Sequence, residues 1–179
     1  SAVKLEGNWN AVGIVRDISE RKLLERSQRE RADRTSAQTT ALDEITAAEK
    51  QFNDDPEALF RAITEQVARA TGVERASVWL FNAEETQLHC LDLYEFSASR
   101  HSDGAMLSHE QFSTEFQALK SASHVAADDA LTDARTRGYA ETYLKPLGIS
   151  AMLDSVVELS GTHLGLLCLE HVRRTHHWE

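Results

Sequence analysis

The sequence predicts an α+β fold built on an antiparallel sheet of about six strands, preceded by a long N-terminal helix. Three observations predict it. Strand-forming runs come in adjacent pairs joined by short turns, 75–81 with 87–96 and 149–159 with 164–171. Helical periodicity is confined to the start and middle of that same region, so helices and strands do not alternate as a parallel sheet requires. Residues 19–52 hold no glycine or proline until the segment closes, and they read as one helix.

Composition narrows the function classes. The 179 residues suit one domain of ordinary size with an extension. Twenty-nine acidic residues against 19 basic ones give a net charge of −10, which opposes nucleic acid and anionic membrane surfaces as partners. No apolar run reaches the ~18–20 residues of a membrane span, and no signal-peptide core follows Ser1, so neither membrane insertion nor export is expected. Cys90 and Cys168 lie in apolar strand-like runs and are expected to be buried free thiols, which suits a reducing cytoplasm.

Three segments follow in order. In residues 1–18, Gly7-Asn8 is a turn signal and the stretch from Trp9 to Ile18 is rich in strand formers, so one strand with its approach is expected. One strand cannot bury its own faces and must pair with something. Residues 19–52 carry opposite charges at helical spacing, such as Glu25 with Arg29 and Glu30 with Arg34. A continuous helix here would be roughly 50 Å long. On alternating steps of four and three, Leu24, Leu42, Ile45 and Phe52 make an apolar seam, while Gln28, Arg31, Thr35 and Gln38 fill its middle. A solvated single helix fits this pattern, but an isolated polar helix gains little from propensity alone. A parallel homodimer along those four residues is therefore expected.

Residues 53–179 form the folded domain. Asp54 or Asp55 caps a helix that opens at Pro56, buries Leu59, Ile63 and Val67, and stops at Thr71-Gly72. The hairpin 75–96 follows, then a polar loop over 97–104, a helix over 109–120 and a short strand over 124–127. A second polar loop leads to a short helix over 139–145, ended by Pro146 and Gly148. The last hairpin turns at Ser160-Gly161, and its Gly165-Leu166-Leu167 run looks buried on both faces. Glu170-His171 reads as a surface pair at the end of that strand.

Two families are resembled. The stretch GNWNAVGIVRDISERKLLE, residues 7–25, resembles the last strand of a PAS domain, its Asp-Ile-Ser exit and the helix that leaves it. On that likeness residues 1–18 are the end of a PAS domain, residues 19–52 a signalling linker, and the remainder a second domain. The runs RASVWLFNAEETQLHCLDLYE, AADDALTDARTRGYAETYLKPLGISAMLDSVVELSG and GLLCLEHV resemble a GAF domain of bacterial sensor histidine kinases and cyclic-di-GMP signalling proteins. The resemblance implies a six-stranded sheet with helices on one face and a small-molecule pocket, or its relic, on the other. It also implies an output domain beyond this chain. Neither strand cysteine matches the bilin-attachment cysteine, the cyclic-nucleotide Asn-Lys-Phe-Asp-Glu pattern is missing, and the sulfoxide-reductase cysteine set is not reproduced. No bilin, haem or metal cofactor is expected.

The chemistry-bearing residues concentrate in one loop. Asp128, Asp129, Asp133, Arg135, Tyr139 and Tyr143 crowd into sixteen residues, and ionised pairs of this kind can bind a polar ligand. Helix capping and loop-pinning salt bridges account for the same residues. A ligand pocket is expected between the sheet and segments 97–104 and 128–143. No phosphate loop, nucleophile elbow or metal spacing occurs, so no catalytic residue is assigned and an enzyme is not expected. The expected role is a sensory or regulatory module that binds or relays a signal through a dimeric helix. The alternatives are a ligand-free dimerisation spacer and a small-molecule enzyme of the GAF superfamily.

Overall fold

The computed structural model describes residues 2–5, 8–11, 19–51 and 54–178. The chain divides into two compact units, Ser1–Ala37 and Gln38–Glu179. In the first, β1 (Ala2–Leu5) pairs antiparallel with β2 (Asn8–Ala11). The single strand expected there is thus two short ones, which satisfy their facing backbone groups by pairing with each other. The rest of that expected strand lies outside the described residues.

Helix α1 (Ser19–Gln51) begins in the first unit and ends in the second. Arg21 pairs with Glu25 at 2.9 Å and Arg26 with Glu30 at 2.8 Å, both at i,i+4 along its surface. Leu24 and Leu42 are 61% and 65% exposed. The Ile45 side chain and Phe52 lie outside the described residues.

Helix α2 (Pro56–Thr71) starts as its sequence dictates. Asp55 accepts the Ala58 N–H at 3.1 Å, Pro56 occupies the first position, and Gly72 closes the helix at φ +69°. The main sheet is antiparallel throughout, in the order β5-β4-β3-β9-β8-β7. Its strands are β3 (Arg75–Phe81), β4 (Gln87–Glu95), β5 (Arg100–Ser102), β7 (His124–Ala127), β8 (Ile149–Leu159) and β9 (Thr162–Val172). β6 (Met106–Ser108) pairs with the other end of β4. The polar loop expected over 97–104 therefore contains a strand, and β6 was not foreseen. Both are three-residue edge strands whose register comes from β4 and not from their own pattern.

The two faces of the sheet are covered differently. α2 packs Thr64 and Ala68 on the outer face, where Val73, Ala76, Tyr94 and Leu169 form a core. Thr64 Oγ1 donates to Asp92 Oδ2 at 2.5 Å, and His101 Nδ1 lies 2.9 Å from the same oxygen, tying α2 to β4 and β5. The inner face is covered by α3 (Ser113–Ser121) and by a helical segment wound in three ways. That segment is a 3-10 turn over Arg137–Tyr139, a π turn over Ala140–Leu144 and an α-helical turn, α4, over Lys145–Leu147. α3 starts later than the helix expected over 109–120, because Phe112 is buried at its entry while Ser108 backbone accepts the turn before it.

β9 lies inside the sheet between β3 and β8, and its residues 165–171 are buried or half-buried. Its Glu170 and His171 are 0% and 3% exposed. The surface pair expected from the sequence is buried because β3 pairs across it, Arg75 standing opposite Glu170. Leu167 packs against the outer core. An unpaired charge there costs several kcal/mol against a total of ~5–15. Leu167→Asp is expected to lower the melting temperature by roughly 10 °C or more in a calorimetric scan. A melt within a degree or two of the parent would contradict this placement.

Candidate functional site

Alternation along the strands decides what meets on the inner face. Arg75, Ser77 and Trp79 of β3, Cys90 and Glu95 of β4, Met152 and Asp154 of β8, and Leu166, Cys168 and Glu170 of β9 point the same way. Above them sit Phe116 and Leu119 of α3 and Tyr139, Tyr143 and Leu144 of the helical segment. Phe112 meets Tyr139 with ring centroids 4.7 Å apart. The roof is pinned by Glu115, which is 4% exposed and accepts the Gly138 N–H at 2.7 Å. A Cβ on Gly138 would stand 2.1 Å from that carboxylate oxygen, so a larger residue there would push Glu115 off this N–H.

Between sheet and roof lies a cavity of about 20 Å³ open to the centre of a water-sized sphere. That is room for about one water before anything moves. Leucines, Met152 and Trp79 make most of the wall, Tyr139 and Tyr143 come from the roof, and Asp154 and Cys168 make the polar part.

The polar part continues as a ladder across four strands, β8, β9, β3 and β4. Asp154 stands opposite Cys168 across the β8–β9 pairing. Asp154 Oδ1 is buried and has no hydrogen-bond partner among the described residues. Glu170, two residues along from Cys168, receives Arg75 Nε on Oε2 at 2.8 Å, while its Oε1 is also unpartnered. Arg75 Nη1 reaches Glu95 Oε1 at 3.1 Å.

Burial acts on each of these groups. It pushes the Asp154 carboxyl up to about 7, with Cys168 opposing the shift and Glu170 adding to it. It pushes the Cys90 thiol up to about 12, with Asp92 contributing. The Cys168 thiol and the Tyr139 and Tyr143 phenols are also raised well above their ordinary values, by burial first and then by nearby carboxylates. Burial works against the Arg75 charge, but Glu170 and Tyr143 more than offset it and hold the guanidinium above its ordinary value.

The six site residues read from the sequence separate into two groups. Tyr139 and Tyr143 line the cavity. Asp128, Asp129, Asp133 and Arg135 line a shallow hollow on the surface instead, and each is engaged locally. Asp128 Oδ2 lies 2.6 Å from His177 Nδ1, and its Oδ1 accepts the Trp178 N–H, which holds the carboxyl below its ordinary range. Asp129 accepts the Leu131 N–H at 3.1 Å. Asp133 receives Arg135, whose Nη2 also donates to the Ala126 carbonyl at 2.6 Å. Segment 97–104 contributes nothing to the cavity wall, because β5 extends the sheet edge and turns His101 towards Asp92 and Tyr94.

Arg75, Asp154, Cys168 and Glu170 were not singled out as a site. The signal available was a charged residue inside an apolar strand run, MLDSVV and LLCLEHV. Such a charge is buried only if a further strand pairs outside it, and that is a long-range fact.

A sheet with one helix on its outer face and a roofed, acid-floored cavity on its inner face defines the class. The chain belongs to the GAF domain family, whose model matches residues 55–179. Solved structures agree on the fold. The phycocyanobilin-bound GAF domain of a cyanobacterial phytochrome superposes with a TM-score of 0.63 at 16% identity, over 79% of this chain and 83% of that one. A far-red-absorbing dark state with bound biliverdin matches at 0.61 and 17% identity, over 78% and 86%. The GAF domain of an Acinetobacter phosphoenolpyruvate-protein phosphotransferase matches at 0.55 and 14%, over 76% and 79%. No curated protein sequence matches.

The raised Asp154 carboxyl has a definite sign. The folded state holds a proton that the unfolded state releases at its ordinary value, so this site loses stability as pH rises from about 4 to about 7. Asp154→Asn removes that term. The variant is expected to gain on the parent by up to ~1.4 kcal/mol per pH unit across that window, and no further above it. Urea unfolding of both proteins between pH 4.5 and 8 measures the difference. A difference flat with pH would contradict the burial of an ionisable group here.

Proposed function

We propose that this chain is the regulatory part of a bacterial signal-transduction protein of the sensor histidine kinase or cyclic-di-GMP type. A small molecule binds in the inner-face cavity, and its presence is relayed through α1 to a second copy and an output domain. The observation that carries this reading is the buried, cavity-lining Asp154 with an oxygen left unpartnered. A core built only for stability would not leave that atom unmatched, since a buried unpaired acceptor costs ~1–3 kcal/mol.

The DISERKLLE motif, residues 17–25, supports a preceding PAS domain ending near residue 18, and the two buried free thiols suit a cytoplasmic setting. The exposed Leu24 and Leu42 support a homodimer along α1, in which a weak polar middle leaves two pairings close in energy. Asp128, Asp129, Asp133 and Arg135 serve in this reading as loop staples outside the cavity, with Tyr139 and Tyr143 as ligand contacts. The spacer alternative is favoured by one observation, the small size of the cavity with the tyrosines in place. Enzymatic use of Cys90 or Cys168 is opposed by the raised thiol pKa values, because the thiolate is the nucleophile.

Native mass spectrometry of the purified chain tests both halves of the proposal, reporting a retained small molecule and the oligomeric state. Light scattering over a concentration series is expected to show a dimer that weakens at least tenfold in Leu24→Glu/Leu42→Glu. A chain that stays monomeric at hundreds of micromolar would remove the paired-helix mechanism.

A further inference from the structure

We propose that the inner cavity selects its ligand by a protonated nitrogen, a primary amine or an amidine on a compact apolar body, delivered to Asp154. This deepens the ligand-pocket reading and rests on it. Four features point to that chemistry. Asp154 is 4% exposed, lines the cavity and keeps Oδ1 free of any partner among the described residues. A cation beside it favours the ionised form of Asp154, and an ionised carboxylate only accepts hydrogen bonds, so the matching group on a ligand must donate. The surroundings favour a charged donor. Glu170 shares the face with a second unpartnered oxygen, and the nearby cation, Arg75, is already held by Glu170 and Glu95. An anionic ligand would meet two carboxylates and no free cation from this ladder. A cationic one would offset them, through a bond roughly twice as strong as a neutral one.

The rest of the wall suits the remainder of such a ligand. Trp79, Tyr139 and Tyr143 offer aromatic surface to a cation, and Leu88 and Leu166 take an apolar body. The closed cavity admits about one water, so a larger ligand enters by displacing Tyr143. Tyr143 sits in the π turn over Ala140–Leu144, a winding that interrupts regular helix geometry and recurs at functional positions.

The test uses the full chain and matched probes: methylammonium, acetamidinium and benzylammonium, beside acetamide, benzyl alcohol, acetate and benzoate. Thermal shift and amide chemical shifts at residues 154 and 166–170 are the readouts. At least one cation is expected to bind at those residues at least tenfold more tightly than its neutral and anionic counterparts. Asp154→Asn is expected to lose that preference while keeping its fold. Should the variant fail to fold, the parent's discrimination among matched probes decides. Binding of benzyl alcohol or benzoate as tight as benzylammonium would overturn the ligand class and leave the pocket reading standing. A cation preference that persists in folded Asp154→Asn would overturn the role of Asp154. No binding by any probe at these residues would overturn the inference and the pocket reading together.

Discussion

The guanidinium of Arg75 is the interaction on which the inner half of this domain depends. It stands in register with Glu95 of β4 on one side and Glu170 of β9 on the other, and pairs with both. The β3–β4 hairpin and the sequence-distant β9 are thereby held in one alignment. The alignment matters because a one-residue slip turns every side chain to the opposite face. With Arg75 and Glu170 fixed, Cys168 and Leu166 must face inward and Leu167 and Leu169 outward. The pair is buried, so removing one member would leave the other uncompensated, at roughly 3–5 kcal/mol. Burial and pairing together explain how a core that is mostly leucine and aromatic tolerates so much charge.

The two faces use buried polar groups for different ends. On the outer face, Asp92 is satisfied by Thr64 and His101, and the result is a clamp between α2 and the sheet. His171 also faces outward, stacked with Trp178 at 5.4 Å and close to His176. Burial, with help from His176 and Arg174, lowers its pKa to about 4. A depressed histidine contributes stability that is present above about 6.5 and lost as pH falls towards 4. Asp154 on the inner face runs the other way, so over that window the two contributions oppose each other. On the inner face the polar ladder ends in unmatched oxygens beside a space. His171 Nε2 on the outer face is unpartnered among the described residues as well, but of the residues with such an atom Asp154 is the one that lines the cavity.

The sequence by itself determined the fold class, because it rests on local signals. Paired strand runs, the Asp55–Pro56 start and the Gly72 stop of α2 are read from neighbours along the chain, and the structure has each of them. The crowd of charges between Asp128 and Tyr143 was equally visible, but its meaning was not. Sequence spacing cannot tell an aspartate that caps its own loop from one that faces a cavity; Asp129, Asp133 and Arg135 bond within the loop or to its approach, and Asp128 bonds His177 and Trp178 near the end of the chain. Only the tertiary structure decided the site. It brought Arg75, Asp154, Cys168 and Glu170 together from strands up to 95 positions apart, by placing β9 between β3 and β8. Burial of Glu170 follows from that strand order and from nothing in its own neighbourhood, where it reads as the end of a strand. Local propensity acts over a few residues. Which charge is enclosed, and which atom is left without a partner, is set by what the rest of the chain packs against it.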